Sequence, residues 1–146
     1  MDADEFVRIA RDGIAASGYT EEQIAAWSAG FTTETMLNAI SQSISLVVEV
    51  NGEIAGFATL VDRGEDSGAM DLFYVDPKFA RRGVGKLLVR AIEDEARQRE
   101  MSAIWADSSD AAVYRLQQLG YRAHERYKKT VGTVVFKNTW MRKSFL

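Results

Sequence analysis

The chain has 146 residues, 47% of them hydrophobic, with a formal net charge of −3, one histidine and no cysteine. Such a chain is long enough to bury one core, so a single domain spanning 1–146 is expected. A disulfide scaffold, a thiolate metal site and a cysteine nucleophile are excluded, the lone His124 argues against a histidine-built metal centre, and the negative balance argues against a nucleic-acid binder.

The elements follow in chain order. Residues 4–17 set Phe6, Ile9, Ala10, Gly13 and Ile14 on one helical face, with Gly18 as a stop. Tyr19-Thr20-Glu21-Glu22-Gln23-Ile24 reads as a capping box, Thr20 the N-cap and Gln23 its reciprocal partner, opening a helix that carries Trp27 and ends near Gly30. Thr32 or Thr33 caps a third segment bearing Met36, Leu37 and Ile40. Ile44 to Val50 is a β-branched run, and Asn51-Gly52 is a strong hairpin signal ahead of a return strand, Ile54 to Val61. Arg63 to Gly68 reads as a polar loop and Ala69 to Val75 as the next strand.

Then comes Val75-Asp-Pro-Lys-Phe-Ala-Arg-Arg-Gly-Val-Gly-Lys86, followed by Val84, Leu87, Leu88, Ala91 and Ile92 at helical spacing up to residue 100. A strand, a glycine-rich turn and a helix start make an anion cradle. The first helical N–H groups lack partners, the dipole is positive there, and Gly83 and Gly85 leave the backbone open to a phosphate. It is neither of two common phosphate motifs. A dinucleotide fingerprint needs glycine where Leu88 stands, and a P-loop needs glycine at Ala80 and Ser or Thr at Leu87. Downstream, Ser102 to Ala106 is a short strand. Asp107-Ser108-Ser109-Asp110 caps a helix over Ala111 to Leu119, which Gly120 ends. Tyr121 to Thr130 and Thr133 to Phe145 alternate like two antiparallel strands joined near Gly132. No apolar run approaches the ~20 residues of a membrane span. The acidic Met1 to Glu5 lacks a signal-peptide pattern, so a cytoplasmic protein is expected.

The loop Arg81, Arg82, Gly83, Val84, Gly85, Lys86 resembles motif A of the GCN5-related N-acetyltransferases (GNAT), Gln/Arg-x-x-Gly-x-Gly/Ala, with Ala80 in place of the usual Gln/Arg. The element order also resembles that family's α/β fold, a mixed, mostly antiparallel sheet flanked by helices, without the first edge strand. Met-Asp-Leu-Phe-Tyr-Val, Tyr-Thr-Glu-Glu-Gln-Ile-Ala-Ala-Trp and Asn-Thr-Trp-Met-Arg-Lys look like its bacterial YafP-like subgroup.

The resemblance implies an acetyl-CoA-dependent N-acetyltransferase acting on a primary amine of a small molecule or peptide, with no metal. The alternative is an acyl-CoA-binding module with little catalysis. In the family the loop amides hold the pyrophosphate, a role falling on residues 81–86. The strand before the loop bulges to bind the pantetheine arm and thioester, a role falling on Phe73, Tyr74 and Val75, although no bulge signal is visible there. Ser109 matches a further CoA contact. Asp71 is the candidate base, because a carboxylate among apolar strand residues faces solvent, a partner or a cleft. The family's acid is a tyrosine four residues before the Gly-aromatic pair, where this chain has Leu116. Tyr114 lies two positions earlier, and Tyr74 and Tyr127 are other candidates. Trp27 is expected to line the acceptor side. A missing edge strand invites a homodimer.

Overall fold

The computed structural model describes residues 3–146. Three helices come first: α1 (Ala3–Ala15), α2 (Glu21–Ser28) and α3 (Thr33–Ser41). They are followed by β1 (Ile44–Val50), β2 (Glu53–Gly64) and β3 (Ser67–Val75), then a 3-10 turn (Pro77–Phe79) and α4 (Val84–Gln98). The chain continues through β4 (Ala103–Ser109), α5 (Asp110–Gln118), β5 (Arg122–Val131) and β6 (Val134–Ser144). The six strands form one sheet in the order β1-β2-β3-β4-β6-β5, in which only β3 and β4 run parallel. No strand precedes α1 among the described residues, and β1 is a sheet edge.

Local sequence explains most boundaries. The expected capping box forms between Thr20 and Gln23, and Thr32, one of the two candidate caps of α3, makes a second box with Thr35. The apolar stripe of α4 buries Val84, Leu88, Val89, Ile92 and Ala96 against the sheet. Gly56 of β2 lets that helix come close, since a Cβ there would stand 3.0 Å from the Val84 side chain and 3.1 Å from that of Leu88. On the opposite face α1 and α3 enclose a smaller core, where Phe6 stacks on Phe57 at 4.2 Å between ring centroids.

Two expectations change. The expected polar loop from Arg63 to Gly68 is almost entirely strand: the β2–β3 ladder closes at Gly64–Ser67, and Glu65 and Asp66 make the turn in left-handed conformations (φ 54° and 60°). Likewise Asp107 and Ser108 are not part of a cap. They extend β4, because β6 offers Trp140 and Thr139 as ladder partners, and only Ser109 takes the N-cap position of α5.

Three irregularities place the site at one end of the sheet. First, β3 carries one extra residue opposite Thr59: Ala58 pairs with Phe73, but Leu60 pairs with Met70. The wholly buried Thr59 accepts a hydrogen bond at its hydroxyl from Leu72 N–H (2.8 Å), occupying the gap left by the bulge. Secondly, β3 and β4 pair only from Ser67–Ala103 to Met70–Ala106. Beyond that couple β4 stays with β6 while β3 stays with β2, so the strands part in a V whose β3 edge, Asp71 to Val75, has no β4 partner. Thirdly, Asp76 ends β3 in a buried corner. Its carboxylate accepts from Lys78 N–H at 3.1 Å and from the Arg8 guanidinium at 2.9 Å, tying α1 to the loop that leads into α4.

Candidate active site

The glycine turn lies at the end of β3. Arg81 (φ 63°) and Gly83 (φ 77°) are both left-handed, a chain path that turns successive backbone N–H groups toward one concavity. Gly83 occupies the N-cap of α4 with no side-chain cap, and the helix ladder begins with Leu87 N–H donating to Gly83 carbonyl at 3.1 Å. The helix-start amides ahead of Leu87 therefore face outward without an internal acceptor. A Cβ on Gly83 would meet nothing within 4 Å, and one on Gly85 only Phe73 and Val75 at 3.9 Å. That open volume above a helix start fits a phosphate group. Arg81, Arg82 and Lys86 stand exposed around it, with the Arg82 guanidinium 5.7 Å over the Phe79 ring. The half-buried Phe73 and Val75 lead from this turn toward the V.

The other side of β3 is walled by side chains. A cavity of about 360 Å³ opens there between the sheet and the early helices. Trp27 of α2 and Phe31 of the following loop form one wall, Thr35, Met36 and Ala39 of α3 another. The floor is Asp71, Leu72 and Tyr74 of β3, with Lys129 and Val131 of β5 on the far side. Because of the bulge, Asp71 and Leu72 line the same cavity although they are neighbours in a strand, where side chains normally alternate.

Hydrogen bonds fix most polar groups of the wall. The Trp27 indole N–H donates to the Tyr74 hydroxyl at 3.0 Å. Burial pushes the Tyr74 phenol up to about 12, so it stays neutral and keeps a proton to donate. The Lys129 ammonium lies 4.9 Å over the Trp27 ring and 3.4 Å from Asp107. Asp107 also accepts from Tyr127 O–H at 2.5 Å and from Asn138 Nδ2 at 3.0 Å, and desolvation, reinforced by that bond, raises the Tyr127 phenol well above its usual range. Asp71 and Asp107 are thus the residues just past the last paired couple of the V. They differ in partners: Asp107 is saturated, whereas Asp71, exposed at the cavity floor, has no hydrogen-bond or ion-pair partner among the described residues.

Of the residues expected from sequence, Asp71, Tyr74 and Trp27 meet in this cavity, and Phe73, Val75 and residues 81–86 gather on the other side of β3. Ser109 is half-buried at the start of α5. Tyr114 is 66% exposed, its hydroxyl accepts from Gln118 Nε2 at 2.7 Å, and it is not among the residues lining the cavity, while Leu116 packs toward the main core. Sequence reasoning missed Asp107 and Lys129. A carboxylate closing a short apolar strand was the available signal for the first, and alternation along β5 for the second. Among the described residues no group of three or more His, Asp or Glu is arranged to hold a metal ion, and no helix is long and apolar enough to cross a membrane.

Residues 15–143 match the family model described as an acetyltransferase (GNAT) domain. Over 81 residues, 51% of this chain, it is 31% identical to glucosamine 6-phosphate N-acetyltransferase of Trypanosoma brucei brucei. That match spans only 55% of the relative's length. Among solved structures, a GCN5-related N-acetyltransferase from Rhodopseudomonas palustris is 29% identical with a TM-score of 0.90, covering 99% of this chain and 90% of that one. PaiA N-acetyltransferase from Thermoplasma acidophilum, solved in complex with coenzyme A, is 18% identical with a TM-score of 0.80, covering 99% and 93%, and shares the fold.

Proposed function

The chain belongs to the GNAT acetyltransferase family, and from that premise we propose that it is an acetyl-CoA-dependent N-acetyltransferase that acylates a primary amine by direct attack in a ternary complex. The observation that carries this reading is the parting of β3 from β4 between an anion cradle on one side and an aromatic-lined cavity on the other. A long phosphate-bearing ligand and a small acceptor can then meet at one backbone edge without competing for the same walls. The relative's coenzyme A complex supports the identity of the first ligand.

Acetyl-CoA, when bound, supplies the acyl thioester. The open amides at the start of α4 and the flanking Arg81, Arg82 and Lys86 would hold its phosphates, with Ser109 a further contact, and the free β3 edge from Phe73 to Val75 would take the pantetheine arm. The same edge offers N–H groups to the charge that develops on the carbonyl oxygen. The acceptor nitrogen forms the C–N bond as the C–S bond breaks. An alkylamine has a pKa near ~10.4 and must shed a proton to attack, and Asp71 is the base we assign, directly or through one water. The thiolate then gains the proton that balances the step. Thiol release on mixing acetyl-CoA with an amine panel, together with calorimetric CoA binding, tests the reading. No heat at millimolar CoA would reject it.

A second reading, an acyl-CoA-binding module with little turnover, is favoured by one observation: no tyrosine of α5 lines the cavity, since Leu116 stands at the family position and Tyr114 is exposed. Binding without thiol release on any amine would select it. We further propose a cytoplasmic setting, kinship with the YafP-like subgroup, and a homodimer paired through the β1 edge. A monomer by light scattering at high micromolar concentration would reject the dimer.

A further inference from the structure

Most polar groups on the acceptor cavity wall already have partners. The Trp27 indole N–H is taken by Tyr74, the Thr35 hydroxyl by Thr32 N–H and the Gly30 carbonyl, and Lys129 leans on Asp107 and the Trp27 face. The helix start on the rim, that of α3, is closed by its own capping box and offers no cradle for an anion. What remains is one unpartnered carboxylate, Asp71, one spare hydroxyl proton on Tyr74, and a wall of rings and aliphatic groups. Phe31 meets the Tyr74 ring edge-on at 5.5 Å, and Met36 and Leu72 add apolar lining.

We propose that the acceptor is a compact hydrophobic monoamine, of the arylalkylamine class. This deepens, and rests on, the acetyl-transfer reading above. The amine would sit at Asp71 and the V, with the ring among Trp27, Phe31 and Tyr74. The cavity of about 360 Å³ has room for a molecule of that size. An amino sugar phosphate would lay its hydroxyls against rings and aliphatic groups, and the one cation of the lining, Lys129, is already paired with Asp107. A polyamine would add ammonium groups to a wall whose one carboxylate, Asp71, is taken by the reacting amine and whose Lys129 repels them.

The test is thiol release by the full chain with acetyl-CoA and four acceptors: phenethylamine, glucosamine 6-phosphate, spermidine and a short peptide with a free N-terminus. Glucosamine 6-phosphate, named for the trypanosomal relative, is the sharpest competitor. We expect kcat/KM for phenethylamine to exceed each of the others by about 100-fold or more, the scale on which an apolar pocket and unpaired polar groups discriminate. Turnover that favours any of the other three overturns the hydrophobic acceptor while leaving acetyl transfer standing. CoA binding with no turnover on any amine overturns both. Trp27→Ala should raise KM for phenethylamine by roughly 10-fold or more with CoA affinity unchanged. Should that variant fold poorly, Phe31→Leu is the milder probe, and an unchanged KM in a folded variant of either kind overturns the proposal.

Discussion

The two sides of β3 build their surfaces by different means. On the α4 side the cradle is main chain: left-handed Arg81 and Gly83, a helix start without a side-chain cap, and glycine at 85. Its side chains surround the space without shaping it. On the α1–α3 side the cavity is side chain, assembled from α2, the Phe31 loop, α3, β3 and β5. A backbone site tolerates change in identity so long as the chain path holds and nothing fills the gap. A side-chain site takes its chemistry from each residue and can change acceptor without changing fold. The bulge at Asp71 and Leu72 is where the two meet.

That contrast can be broken hardest at Gly85. Its φ is not in the left-handed region, and a Cβ there meets only ordinary contacts at 3.9 Å, so the fold accommodates a side chain. Gly85→Glu should nonetheless abolish CoA binding by calorimetry, because bulk and negative charge enter the space above the helix start. A variant that binds CoA normally would show that the cradle lies elsewhere. On the side-chain half, Asp71→Asn keeps size and much hydrogen bonding but cannot take a proton. Its kcat should fall by ~10²–10⁴-fold with CoA affinity near wild type, the loss typical of a removed general base. Unchanged turnover would mean that another group or water deprotonates the amine.

The same contrast explains what could be read in the chain. Gly83, Gly85 and the periodic α4 stripe are contiguous, so strand, turn and helix were legible from local chemistry. The capping box at Thr20 was legible for the same reason, and the cap of α3 was narrowed to Thr32 or Thr33. The bulge was not: Asp71 and Leu72 look like ordinary strand residues, and what accommodates them is Thr59, thirteen positions from Leu72 and buried in the neighbouring strand. Nor was the role of Asp107 legible, since its partners Tyr127, Lys129 and Asn138 arrive from a hairpin after the next helix. The β4 extension that carries it depends on pairing with β6, a long-range fact. The acceptor cavity is therefore the part that sequence reasoning reached only through Trp27, Tyr74 and Asp71.

A smaller effect is expected at the hinge of the comparison. Thr59→Val keeps the shape but removes the oxygen that accepts from Leu72 N–H. A buried unsatisfied N–H costs ~1–3 kcal/mol. For a chain of this size each kcal/mol lowers Tm by roughly 2–4 °C. Both sides should feel it, through a lower melting temperature and a lower kcat, since Asp71 and the β3 edge shift together. A drop in Tm with unaltered kcat would show that the bulge does not set the position of Asp71.

The smallest effect should come from Tyr114→Phe. A proton donor to the departing thiolate must reach the sulfur, and sulfur lies where the free edge of β3 meets the cavity in our reading. The Tyr114 ring is 66% exposed, and its hydroxyl is engaged by Gln118 one turn along α5. Leu116, at the position where the family places its tyrosine, has no proton to give. We therefore expect kcat to stay within about twofold of wild type, well short of the ~10²-fold or greater loss of a true general acid, with the thiolate protonated by water or by another tyrosine. Tyr74→Phe is the informative comparison, because its hydroxyl lines the cavity and retains its proton to high pH. A large fall in kcat for Tyr114→Phe, with Tm and CoA affinity intact, would mean that α5 turns its Tyr114 face inward when acetyl-CoA binds, and would restore Tyr114 as the acid.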